Sequence, residues 1–290
     1  MINFYLPGLW TLFQINDYFS SLLKTNPEFF YPNIKIGAIY GIFPNAAWGG
    51  GRVIQGPFNQ QDINNMITIY NMKDIPVRYT FTNNMITPDM LTDKYCNYLM
   101  DVANNGFQNE VLVTSPLLEE YLRNKYPNFK YISSVTKRLD KENFIQSLND
   151  YDMSVMITQF NKDIDFLQSI PPELKHKVEI LINSTCDPQC PRFLEHYTAF
   201  SNCQITSDIT ELKTFNCERV NYTFFDRFKI PSTITVEDLY SIYYQQYGFT
   251  NFKIEGRSIK LPEVVESLLY YCVRPEHKDK VRLLIYNHLF

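Results

Sequence analysis

The sequence predicts one (β/α)8 barrel of TIM type, irregular in places. Three observations lead there. Short apolar segments recur along the chain, each followed by a helical pattern or a loop-rich connection, and that alternation marks parallel strands joined by helical crossovers. The candidates number eight, the count at which such a sheet closes. The 290 residues exceed the ~250 that such a barrel takes, and no linker rich in Gly, Ser or Pro divides them. Residues 1–290 therefore read as one domain, with 1–30 as an N-terminal arm and helix and 273–290 as a C-terminal helical segment.

Residues 1–16 carry no charged side chain and include Trp10 and Phe13. They lack the basic start and small-residue cleavage site of a secretory signal, and Pro7-Gly8 interrupts them. They read as an arm covered by the core, by a partner or by a second protomer, leading to a helix near 17–24. No stretch approaches the ~20 apolar residues of a membrane span, so the expectation is a soluble, cytoplasmic protein.

The first strand candidate is 34–40. It runs into Gly41–Arg52, a small-residue loop that lets backbone approach something closely. The loop lacks the spacing and the Lys-Ser/Thr of a phosphate loop. Two readings stay open for Asn45, Trp48 and Arg52: a substrate-facing loop, or a structural turn packed on Trp48. A helix follows at 60–71, then a strand at 76–81 ending in Thr82-Asn83-Asn84. A helix over 88–105 opens with Pro88 and closes at Gly106, as helices do. Strands at 110–114, 130–133 and 153–158 alternate with helices at 117–125, 141–149 and 162–170. A sixth strand over 178–182 ends in Asn183-Ser184-Thr185. The seventh is placed at 228–230, which leaves a long sixth-to-seventh connection, 190–227, of the length that often serves a ligand. A helix at 236–247, an eighth strand at 251–254 and helices at 261–272 and 278–288 complete the chain.

The net charge of −4 and pI near 5.6, with no long Lys/Arg run, give no global attraction to nucleic acid. The 21 Tyr and 22 Phe read as a large core with amphipathic surface rings. The six cysteines, without an export signal, read as reduced thiols or metal ligands rather than disulfides.

In a barrel the C-terminal strand ends form one rim, where chemistry is placed. That rim would collect Asn45, Asn83, Ser115, Ser134, Gln159, Asn183, Cys186, Ser232, Glu255 and Arg257. Most are neutral hydrogen-bonders. With four His in the chain, no Ser–His–Asp pattern stands out. Glu255 has no evident acidic partner for glycoside hydrolysis. Lys253, Glu255 and Arg257 alternate and so share one face, where they pair with one another or touch substrate. Arg192 and His196 are four apart on a helical pattern. They either pair with Glu195 or serve the rim as an anion grip and a proton carrier. Cys186, Cys190, Cys203 and Cys217 are soft donors suited to zinc or an iron–sulfur cluster, or else reduced thiols packing a loop.

The segment from Asn183 to Tyr197, Asn-x-x-Cys-x-x-x-Cys-Pro-Arg-x-x-x-His-Tyr after an apolar strand, resembles the collagenase-like (U32) peptidases and their uncharacterised relatives. Phe252-Lys253-Ile254-Glu255-Gly256-Arg257-Ser258 resembles a second segment of that family, in the same order. The resemblance implies a barrel; with the two family-like segments, the rim and the loop after the first strand taken together, the expected site is Asn183, Arg192, His196, Glu255 and Arg257, with Asn45, Trp48, Arg52, Asn83, Gln159 and Lys253 around the substrate. Some relatives hold an iron–sulfur cluster on four cysteines and hydroxylate RNA or quinone precursors; others are described as peptidases. For this chain the expectation is a metal-dependent modification enzyme, with iron–sulfur ahead of zinc and no cofactor as the alternative. The rivals are a non-catalytic barrel binding a peptide, glycan or protein, and a peptidase.

Overall fold

The computed structural model describes residues 1–256 and 260–290. Eight strands close a barrel in chain order: β1 (Ile2–Pro7), β2 (Ile34–Gly41), β3 (Val77–Phe81), β4 (Glu110–Val113), β5 (Lys130–Ser133), β6 (Met153–Val155), β7 (Val178–Leu181) and β8 (Asn251–Lys253). The described ladders are parallel, and β1 pairs with β8. Helices α1 (Phe13–Thr25), α2 (Gln60–Met72), α3 (Lys94–Ala103), α4 (Pro116–Lys125), α5 (Lys141–Asp150) and α6 (Ile164–Ser169) follow β1 to β6 in turn. After β7 come α7 (Phe193–Thr206) and α8 (Val236–Asp238), the latter continuing as a π-helical stretch, Leu239–Gln246. Helices α9 (Leu261–Cys272) and α10 (Lys278–Leu289) close the chain. No helix among the described residues is long and apolar enough to cross a membrane.

The closed barrel is the expected one, but one strand has changed identity. The N-terminal arm is β1. Ile2, Phe4, Tyr5 and Leu6 are all buried, and Asn3 to Tyr5 align with Asn251 to Lys253. A strand covered on both faces shows a continuous apolar run rather than alternation. Its pattern therefore read as an arm covered by the core, by a partner or by a second protomer, rather than as a strand of the sheet. No strand forms at 228–230. Phe225–Lys229 is a 3-10 turn, held where Asp226 accepts the Thr223 N–H (3.0 Å) and hydroxyl (2.7 Å) and pairs with Lys229 (2.7 Å). The long connection therefore joins β7 to β8. The helix expected over 88–105 is also broken: Pro88–Thr92 is 3-10, and Asp93 restarts the chain as α3 by accepting the Cys96 N–H.

The chain divides into two compact units: residues 1–39, 156–189 and 218–290 in one, 40–155 and 190–217 in the other. In the second unit Tyr79 sends its hydroxyl to Leu99 O of α3, so the alternate residue Arg78 faces the barrel interior. There it meets Glu110 at 2.6 Å, both fully or almost fully buried. In the first unit Glu179 and Lys253 form a second buried pair at 3.3 Å. Each partner removes the penalty the other would suffer alone.

Candidate functional site

In the first unit, β7 and β8 run parallel with Leu181 opposite Lys253. Two residues beyond that register position, Asn183 and Glu255 join: Asn183 Oδ1 accepts the Glu255 N–H at 2.6 Å. Asn183 Nδ2 donates to Ser267 Oγ on α9 (3.3 Å). Glu255 Oε2 accepts both the Thr185 N–H (2.6 Å) and the Thr185 hydroxyl (2.9 Å). Arg227 reaches the same place from the 3-10 turn. Its Nη1 donates to Asn183 O at 2.7 Å and lies 3.8 Å from Glu255 Oε2. Asn183 is 1% exposed, Arg227 3%, Glu255 5% and Thr185 6%. At that depth a charge is tolerated only with a counter-charge and hydrogen bonds around it. The carboxylate has both. The guanidinium has less: its Nε is buried without a hydrogen-bond partner among the described residues. On the outside of the same turn, Phe225 is 74% and Phe228 36% exposed, and Phe228 meets Tyr270 at 5.0 Å between ring centres.

In the second unit the Gly-rich loop after β2 packs on the end of β3 and on α7. Asn45 sits at φ +62°. Its side chain closes its own loop by donating to Gly56 O (2.9 Å) and accepting the Gly56 N–H (3.2 Å). Trp48 is fully buried, donates Nε1–H to Met90 O (2.8 Å) and stands edge-on to Phe81. A Cβ on Gly50 would lie 2.4 Å from the Thr82 carbonyl, which explains glycine there. Asn83 donates to Ala47 O (2.8 Å) and Ser201 O (3.3 Å), and Gln204 of α7 donates to Ala46 O (3.1 Å). The loop is thus held by a network of its own, with Arg52 half-buried beside it.

Comparison with known proteins now bears on these segments. No protein-family model matches the chain. The uncharacterized protease MJ1657 of Methanocaldococcus jannaschii is 25% identical over 169 residues, 57% of this chain and 50% of that protein. The chain thus spans about half the length of the curated relative it matches. The solved structure of the U32 peptidase Mk0906 superposes with a TM-score of 0.50 at 13% identity, over 88% of this chain and 92% of the other, and shares the fold.

The chain is thus similar to a curated archaeal protease and shares the barrel fold of a U32 peptidase.

Of the residues that the U32 resemblance singles out, Asn183 and Glu255 meet directly, whereas Arg257 lies outside the described residues. Lys253 is the partner of Glu179. Arg192 is exposed, grips Glu195 (2.8 and 3.2 Å) and stacks on Phe215 at 4.1 Å. His196 lies flat against the same Phe215 ring, 4.5 Å away at 16°. Both therefore have local neighbours on α7 and its continuation, as the plainer reading of their spacing has it. Gln159 is exposed.

The four cysteines expected around an iron–sulfur cluster or zinc are free thiols in different surroundings. Cys186 and Cys190 are half-buried, Cys203 is buried and Cys217 is exposed. Burial pushes the Cys203 thiol up, with Asp208 adding to it. No group of three or more His, Cys, Asp or Glu among the described residues is arranged to hold a metal ion.

Sequence reasoning missed Arg227 and Thr185. Arg227 was read as the last residue of the long connection, although one Arg inside Phe224-Phe225-Asp226-Arg227-Phe228 was a signal of a specific buried partner. Asn161 was missed too. It is fully buried and ties Leu181 O and Ser232 O together, each at 2.8 Å.

Proposed function

We propose that this U32 relative is a peptide-binding barrel whose site lies where β7 and β8 end. The observation that carries the reading is the buried network of Asn183, Thr185, Arg227 and Glu255, which unites the two family-like segments. Fixed donors beside an exposed aromatic face, Phe225 and Phe228, suit a peptide: hydrogen bonds orient its backbone while rings cover its apolar side chains. The names of the relatives, a protease and a peptidase, agree with a peptide as the ligand class. Binding is favoured over cleavage because the one hydroxyl in the network, Thr185, shares its carboxylate oxygen with its own backbone N–H. That pattern anchors a loop.

The test is retention of peptides from a random library on the immobilised protein, with mass spectrometry of what is eluted. Intact peptides enriched by the wild-type chain and not by Glu255→Gln support the reading. Eluted fragments would make the protein a peptidase, and no enrichment would contradict the proposal. A second reading, a cysteine-held iron–sulfur or zinc centre in a modification reaction such as hydroxylation, draws on Cys186, Cys190 and Cys217 lying in one connection. Anaerobic purification with iron, sulfide and zinc analysis decides it.

A further inference from the structure

We infer that Arg227 is the recognition group for a carboxylate, taken side-on by the Nε edge of its guanidinium; this rests on the peptide-binding reading and names the group recognised. A guanidinium has five N–H donors in a planar fork, and its Nε–Nη2 edge matches the two oxygens of a carboxylate. Among the described residues both polar contacts of Arg227 fall on the other end, at Nη1: Asn183 O at 2.7 Å and Glu255 Oε2 at 3.8 Å. Nε is buried without a hydrogen bond among the described residues. Buried donors are nearly always satisfied, so an open one in a built polar network marks where another molecule completes it.

Glu255 does not take that role. Its Oε2 is already held by the two Thr185 donors, and it approaches only the Nη1 end, at a distance longer than a hydrogen bond. The contact balances the charge of Arg227 without filling the fork. The aim of the guanidinium is fixed from behind as well, because Asn183 is itself held by Glu255 N–H and Ser267 Oγ. The same turn presents Phe225 and Phe228 to solvent, where the rest of a ligand has surface to lie on.

The carboxylate has two sources in a peptide: the C-terminus, or an Asp or Glu side chain. The probes are N-acetylglycine for the first, N-acetylaspartic acid α-amide for the second, and N-acetylglycinamide as the uncharged control. The readout is the side-chain Nε–H resonance of Arg227 in a ¹⁵N-labelled protein, assigned by its loss in Arg227→Lys. A saturable downfield shift with one or both acids is expected, with the amide about tenfold or more weaker, as for loss of a charged hydrogen bond. Which acid binds more tightly identifies the source. Equal shifts with acid and amide, or no shift with either acid, overturn the inference. Arg227→Lys must keep the wild-type circular dichroism; if it does not fold, Arg227→Gln serves for assignment. Library peptides that bind equally well with every carboxylate amidated would remove this inference and leave peptide binding standing.

Discussion

Replacing Glu255 by Gln keeps the size of the side chain and one acceptor for Thr185, and removes the carboxylate paired with Arg227. Arg227, 3% exposed, is then a buried cation with only Asn183 O on its Nη1. Taking one partner from a buried pair costs about 3–5 kcal/mol. The 3.8 Å separation and the retained Thr185 contact place this pair at the lower end, about 3 kcal/mol. With unfolding entropy scaling with the 290-residue length, that is a fall in Tm of roughly 5 °C. The assay is calorimetry and urea unfolding of Glu255→Gln, Arg227→Met and the double variant. If the uncompensated charge is the cause, the double variant is more stable than Glu255→Gln and recovers to within about 1 kcal/mol of the wild type. A Glu255→Gln protein within about 0.5 kcal/mol of the wild type, or strictly additive effects, would refute the reasoning.

Four further outcomes follow from the same structure. Gly50→Ala forces a Cβ to within 2.4 Å of the Thr82 carbonyl and should destabilise by about 3 kcal/mol, read from the urea midpoint. Trp48→Phe loses the bond to Met90 O and part of a fully buried ring, about 2–3 kcal/mol, and removes the blue-shifted part of the fluorescence. Burial raises the Glu119 carboxyl, but the Tyr151 hydroxyl and Lys137 outweigh it, so its folded pKa lies below the ordinary 4.5. Its contribution to stability is therefore present above that value and lost as pH falls through the lower folded pKa; Tm against pH should fall less steeply below pH 4.5 in Glu119→Gln. On the peptide-binding reading, Cys186→Ser should leave metal content and proteolysis of residues 190–227 unchanged; loss of bound iron or zinc would support the metal-centre reading.

The alternation of strand and helix made the barrel legible, and seven of its eight strands, because short apolar runs bounded by polar or turn residues and followed by helical patterns announce themselves locally. β1 did not. It lies at the start of the chain with no preceding helix to mark it as part of the alternation, and it closes the barrel against β8, the last strand. The residues at 228–230 erred the other way: a short apolar triplet looks like a strand unless the Thr223–Asp226–Lys229 turn is recognised. At the site, Asn183 and Glu255 were legible because each directly follows a strand. Arg227 and Thr185 were not, because their roles depend on how a long connection folds back onto β7. The Gly-rich loop shows the same limit: its small residues correctly signalled close approach, but the approaching group is the backbone at Thr82.

Hydrogen–deuterium exchange with and without the enriched peptide pool tests the central claim most directly. The account predicts that protection on binding concentrates at residues 182–186, 223–230 and 252–256. Unchanged exchange in all three segments, with protection elsewhere, would contradict it.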